Sequence, residues 1–320
     1  MDDYWLGILA NMGLLSFLAL SSYVLLIGGA MSFGQQAFFA IGAYGAGIAT
    51  VLWALPFAAA LVLAAVMGAL AATLLGALTL RLQGFYFSVA SLAAAEAVRI
   101  FLELFSLRAE TSGGQIVGPG GVDGFGGIRY LYERGLSQAG FVLLIYGVLC
   151  LVLLALYLSE RGRFGLALRM SGEDPELAAV FGIDVPKVKL AAAAAAGAIA
   201  ALGGGLYAHY NTYIEPRNFG MMLGIHGLAY ALIGGIGTPL GPLLGVGFDI
   251  LLLEFSRIFQ GYRMIAFGGV VALFLIVRPR GILDERLVHR LRAGFGRALR
   301  YRRGHAGPPD RPPDGAKGTT

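Results

Sequence analysis

Nine stretches of this chain are apolar over enough residues to cross a bilayer or nearly cross it, and that repetition constrains the fold more than any other feature. They run roughly Leu6–Gly28, Ala37–Trp53, Pro56–Leu80, Phe85–Phe105, Ala139–Leu158, Leu190–Ala208, Phe219–Ile236, Leu240–Phe255 and Met264–Val277. A span needs about 20 mostly apolar residues to cross about 30 Å of hydrocarbon. Lipid offers the backbone no hydrogen bonds, so each such segment must satisfy its own as a helix. The expected fold is therefore all-α, a polytopic transmembrane helical bundle of about eight to ten membrane segments. The second segment is short and glycine-rich, which leaves two readings open: a clean crossing, or a broken, re-entrant helix buried in protein. With 57% hydrophobic and 13% charged residues among 320, no large soluble catalytic domain fits beside the spans.

Lys187, Lys189 and Lys317 are the only lysines and none is followed by Ser or Thr. That excludes the phosphate-loop pattern, which pairs a lysine with a magnesium-binding hydroxyl. Any ATP used with this chain is expected on another chain, with no catalytic residue and no cofactor here. Cys150, the single cysteine, sits in an apolar run, so neither a disulfide frame nor a cysteine metal site is expected. The first apolar stretch has no Lys or Arg ahead of it and reads as a retained span.

Orientation follows from basic charge, which collects in cytoplasmic loops. With the loop between Leu158 and Leu190 inside, nine crossings place Arg81, Arg161, Arg163, Arg169, Lys187, Lys189 and the basic residues from Arg278 to Lys317 in the cytoplasm. Arg108, Arg129, Arg134, Arg217, Arg257 and Arg263 are left outside. The N-terminus is then outside and the C-terminus inside, and the basic residues answer to membrane topology, not to nucleic acid. The chain divides into a transmembrane domain at 1–283, a basic stretch at 284–303 and a tail at 304–320. In the basic stretch Leu287, Leu291, Phe295 and Leu299 alternate with arginines, the pattern of a helix lying on anionic lipid. The tail is rich in Pro and Gly and is expected to be disordered.

Small residues recur at helix-packing spacing in Gly68, Ala72 and Gly76, and again in Gly197, Ala201 and Gly205. Packing inside one protomer is preferred over a dimer seam for both stripes. Gly234 to Pro242 reads as a tight turn between spans, and the glycine-dense loop Thr111–Ile128 as a plain connection ahead of a mobile gate.

The loop Ser159–Lys189 is the informative one. Asp174-Pro175-Glu176-Leu177-Ala178-Ala179-Val180-Phe181-Gly182 has an N-cap aspartate, proline at the first helical position, an acid in the first turn and glycine past the end. Leu177, Val180 and Phe181 share one face of this short helix. From spacing alone that face either packs under the protein's own spans or is presented to a groove on a partner, with Arg161, Arg163 and Arg169 around it.

Gly162 to Arg169, Asp174 to Val185 and Lys187 to Leu190 together resemble the coupling loop of permeases of the branched-chain amino acid ABC importer family. Ser32 to Tyr44 resembles the second-segment motif of the family's M-type subunit. Leu80 to Phe87 running into Glu96 to Arg99, the Gly234–Pro242 turn and Arg278 to Gly281 follow in order. Two places depart from the family pattern: an insertion-like Gln115 to Pro119, and Leu177-Ala178-Ala179 after Glu176 where Glu-Ala-Ala is usual. The resemblance implies a non-catalytic half-pore in a bacterial cytoplasmic membrane. Its implied partners are a paralogous H-type permease, two cytoplasmic ATPases that bind the ATP, an extracytoplasmic amino-acid-binding protein and membrane lipid. It assigns ATPase coupling to Arg163, Arg169 and Asp174 to Gly182. The resemblance, not the spacing, selects Gln35, Phe38, Phe39, Tyr44, Tyr86 and Phe87 as translocation-path candidates, and Glu96 joins them as a charge inside a span.

Charges inside a span are costly and are functional candidates by default. Glu96 and Arg99 at i+3, and Arg99 and Glu103 at i+4, can pair along one helix, and a structural ladder is weighed ahead of a substrate contact. Asp249 and His226 read as satisfied polar groups between helices. The rivals are a sugar or nucleoside permease of the same superfamily and a proton-coupled carrier using Glu96 or Asp249.

Overall fold

The computed structural model describes residues 3–79, 81–82, 84–110, 116–129 and 135–256, with single positions at 265, 268, 269 and 272. Most of the ninth apolar segment, the basic stretch and the tail lie outside the described residues. The described helices are α1 (Asp3–Ile27), α2 (Gln35–Val51), α3 (Phe57–Thr79), α4 (Phe85–Leu104), α5 (Gln138–Arg161), α6 (Arg163–Glu173), α7 (Pro175–Val180), α8 (Val185–Asn211), α9 (Met221–Gly234) and α10 (Gly241–Ser256). Two-residue strands β1 (Ala109–Glu110), β2 (Ile116–Val117), β3 (Phe125–Gly126) and β4 (Tyr213–Ile214) lie in the connections. The protein is a polytopic helical membrane bundle, as its apolar segments require. Among the described helices, α1, α3, α4, α5 and α8 are long and apolar enough to cross a membrane.

α8 is the axis, packed by α1, α2 and α3. Its glycines and alanines let these neighbours reach its backbone. A Cβ on Gly68 of α3 would press on Ala201 and on the Gly197 carbonyl, and one on Gly42 of α2 would press on the Ala201 main chain. The two small-residue stripes thus face each other within one chain, as the sequence reading preferred. Where lipid supplies no drive to bring helices together, such close backbone approach gives the attraction instead.

α2 runs unbroken over 17 residues, nearly all buried. Gly34 at its start abuts Ser91 of α4, while Gly47 abuts Phe125 and Ile128 at the opposite end of the bundle. The segment is therefore one continuous helix enclosed by protein, so the broken reading does not hold over Gln35–Val51.

The glycine-dense loop is more than a connection. β3 pairs antiparallel with β4, matching Phe125 to Ile214 and Gly126 to Tyr213, and the Ile128 amide donates to the Thr212 carbonyl at 3.1 Å. Phe125, Ile128 and Ile214 are fully buried beneath this cap. Positive φ at Gly121, Gly124 and Gly127 makes the tight path possible, which explains part of the glycine density. Gly234 to Gly241 is the expected turn, closed by the Gly241 amide on the Thr238 carbonyl at 2.9 Å.

Candidate functional site

The loop after α5 folds into a compact bracket. Gly162 adopts extended backbone and ends α5, and α6 then doubles back with Gly165 pressed on the Glu160 main chain. Leu168 and Ser171 are buried, and Leu168 reaches Gly28 while Gly172 touches the backbone of Ile27, Gly28 and Gly29. α7 follows. The Asp174 carboxylate accepts from the Glu176 amide at 3.1 Å and the Leu177 amide at 3.0 Å, the N-cap that the sequence announces. Gly182 takes φ +80° and closes the helix.

Ala178 is fully buried and anchors α7, whereas Leu177 is 52%, Val180 83% and Phe181 69% exposed. The reading in which this face packs under the protein's own spans is therefore overturned. The anchoring residue is the small one between the three large ones, so the large ones point away from the bundle. Arg161 and Arg163 are exposed where α5 meets α6, and Asp174, Pro175, Glu176, Ala179 and Gly182 are exposed on α7 and its ends. Arg169 instead turns inward, donating to Glu160 at 3.1 Å. At the start of α8 the Lys187 ammonium hydrogen-bonds the exposed Asp184 carboxylate at 2.8 Å, which holds that carboxyl below its ordinary pKa.

The path candidates separate into three groups. Gln35, Phe38 and Phe87 converge on a cavity of about 30 Å³ between α1, α2, α3, α4 and α8, which Ser32 and Ser91 also line. That volume holds about two water molecules. A hydroxyl knot frames it: Ser21 donates to Gln35 Oε1, Gln35 Nε2 donates to Ser32 Oγ at 3.2 Å, and the Phe33 amide donates to Ser91 Oγ at 3.1 Å. Phe39 and Tyr44 belong to a separate aromatic cluster with Tyr207, Phe125 and Phe219, buried towards the cap. Tyr86 is exposed on the outer side of α4.

Glu96 lies on α4 away from both. Arg99 Nε donates to Glu96 Oε1 at 2.7 Å and Arg99 also binds Glu103, so the expected ladder is formed. The Glu96 side chain is 41% exposed along it. Tyr230 donates to Asp249 at 2.8 Å between α9 and α10, and His226 stacks on Tyr230, in keeping with structural roles for both.

Sequence reasoning missed Tyr23, Glu160 and the hydroxyl knot. Glu160 carried a legible signal, since it is an acid at the end of an apolar run. Ser88 and Ser91, three apart on an apolar helix, carried another. Nothing local marked Tyr23. Among the described residues no cluster of His, Cys, Asp or Glu could hold a metal ion.

A family model described as the permease component of the branched-chain amino acid transport system matches residues 4–277. The chain is 31% identical over 281 residues to the high-affinity branched-chain amino acid transport system permease protein LivM of Escherichia coli (strain K12), covering 80% of this chain and 64% of that protein. LivM of Salmonella typhimurium matches at 31% over 285 residues with the same coverage. The chain thus spans less than two thirds of these curated relatives. A probable branched-chain amino acid transport permease protein LivH of Methanocaldococcus jannaschii is 31% identical over 145 residues, 42% of this chain and 45% of that protein. No solved structure matches.

Proposed function

The chain belongs to the family of branched-chain amino acid transport system permease components, and from that premise we propose that it is one half of the translocation pore of an ABC importer for neutral aliphatic amino acids. The observation that carries this reading is the outward apolar face of Leu177, Val180 and Phe181 on a capped helix held firmly by the bundle. A helix of six residues has little stability of its own, so a capped helix anchored at Ala178 that presents its apolar side suits docking of another protein. The assembly has two cytoplasmic ATPases seated on such helices, a second permease of H type and an extracytoplasmic binding protein that delivers cargo. It sits in a bacterial cytoplasmic membrane with the C-terminus inside. Residues 1–283 form the permease domain.

This chain holds no ATP and performs no covalent step. Its part is conformational: nucleotide closes the ATPases, the coupling helices follow, and the bundle moves between access states because nucleotide binds one state better than the other. The small cavity beside Gln35, Phe38 and Phe87 borders the proposed path. Few fixed charges line these segments, which suits a neutral cargo bound weakly enough to leave.

The test is reconstitution with its partners. Radiolabelled leucine, isoleucine or valine should enter vesicles only when binding protein and ATP are both present. Uptake of a sugar or nucleoside instead, or uptake driven by a proton gradient without ATP, overturns this function.

A further inference from the structure

We propose that Glu160 is a positioning residue that locks the coupling bracket to the first span, so that motion imposed on α7 enters α1 instead of being lost at Gly162. The inference rests on the transport reading and adds to it a residue and a route within this chain.

The need for a lock comes from the local geometry. α5 and α6 are joined through one extended glycine, Gly162, with φ −82° and ψ 175°. A junction of this kind is a natural hinge, where a few dihedral angles can absorb a displacement. Leu168 on Gly28, and Gly172 on Gly28 and Gly29, bring the bracket against the end of α1 through apolar and backbone contacts, with no bond between polar side chains.

Glu160 supplies the directional tie. The Tyr23 hydroxyl of α1 donates to Glu160 Oε1 at 2.6 Å, and Arg169 of α6 donates to Glu160 Oε2 at 3.1 Å. One carboxylate at the end of α5 therefore uses a different oxygen for each of two other helices. Tyr23 is fully buried and Glu160 largely so, and hydrogen bonds to a charged group in such surroundings are stronger than neutral ones. α1 then continues the connection. Ser21, two residues before Tyr23, donates to Gln35, which lines the small cavity together with Leu25 of α1. A rigid α1–α5–α6 corner thus places the docking helix and the cavity wall on one body.

Tyr23→Phe removes only the hydroxyl, and Glu160→Gln removes the charge while keeping the size. Tyr146→Phe is the control, because Tyr146 also ties α5 to α1, through the Leu9 carbonyl at 3.1 Å, but far from the bracket. In the reconstituted complex, Tyr23→Phe and Glu160→Gln should leave ATP hydrolysis within about twofold of wild type and lower uptake per ATP by about tenfold. The double variant should be no worse than the more severe single one, and Tyr146→Phe should match wild type. Uptake per ATP unchanged in Tyr23→Phe, or equally lowered in Tyr146→Phe, overturns the lock.

A second measurement needs no partners. In the full chain in nanodiscs, Tyr23→Phe should speed amide hydrogen exchange over Arg163–Glu173 while leaving Gln138–Tyr157 unchanged. Unaltered exchange over Arg163–Glu173 overturns the lock even if the transport reading stands. Faster exchange there, in a complex without ATP-driven uptake, supports the lock and sinks the transport reading alone.

Discussion

Single residues decide how closely the helices of this protein approach, and glycine is where that can be measured. Gly204 of α8 lies so near α2 that a Cβ would press on the Phe39 carbonyl and stand 3.0 Å from the Ala43 amide nitrogen. Both obstacles are main chain, so no side chain can rotate away. Gly204→Ala should therefore lower stability by about 1–3 kcal/mol, read as an earlier unfolding midpoint in mild detergent. Gly147 on α5 has nothing within 4 Å of its would-be Cβ, so Gly147→Ala should leave the midpoint unchanged or slightly higher. Equal losses in the two variants would refute the packing account. The ladder on α4 follows a different rule. Arg99 binds both Glu96 and Glu103, so two acids and a base are held on one helix without exposing a lone charge to hydrocarbon.

At the scale of elements, α7 separates two jobs that its sequence mixes. The Asp174 cap and buried Ala178 hold the helix in place, while Leu177, Val180 and Phe181 contribute little to the fold because they face outward. Phe181→Asp should therefore shift the unfolding midpoint by no more than about 0.5 kcal/mol, the range of ordinary surface changes. In a proposed apolar groove on an ATPase the same aspartate would be buried without a partner, which costs far more. Co-purification with the ATPase and uptake should both be lost while membrane insertion and stability are kept. Assembly and uptake that survive Phe181→Asp would show that α7 is not the docking element.

For the whole molecule the question is which end faces the cytoplasm. Near the end of the bundle that carries the bracket lie Arg81, Arg161, Arg163, Arg169, Lys187 and Lys189, against Arg108, Arg129 and Arg217 near the capped end. The imbalance supports the proposed inward orientation of the bracket, by the rule that short cytoplasmic loops carry the positive charge. A cysteine in place of Gly307, in a Cys150→Ala background, should then resist an impermeant thiol reagent in intact cells and react after lysis. Equal labelling before and after lysis would reverse the orientation, and with it the assignment of α7 to the ATPases.

The sequence by itself determined the five long apolar helices α1, α3, α4, α5 and α8, the cap of α7 and the turn at Gly234 to Pro242, because each is dictated locally. Apolar length forces helix where the backbone has no other partner, and Asp174, Pro175 and Gly182 punctuate α7 through bonds to their own neighbours. The small-residue stripes were legible as packing surfaces too. Which faces meet was decided only by the tertiary structure. Leu177 and Ala178 look alike to a hydrophobic pattern, yet one is turned out and the other fixes the helix. The glycine-rich loop became a docked cap only because β4, far along the chain, completed its pairing. Tyr23 met Glu160 across 137 positions of sequence, with nothing at either site to name the other. In a membrane nearly every helix face is apolar, so hydrophobicity cannot choose among partners. Shape complementarity and a few buried hydrogen bonds make that choice, and both exist only once the helices are packed.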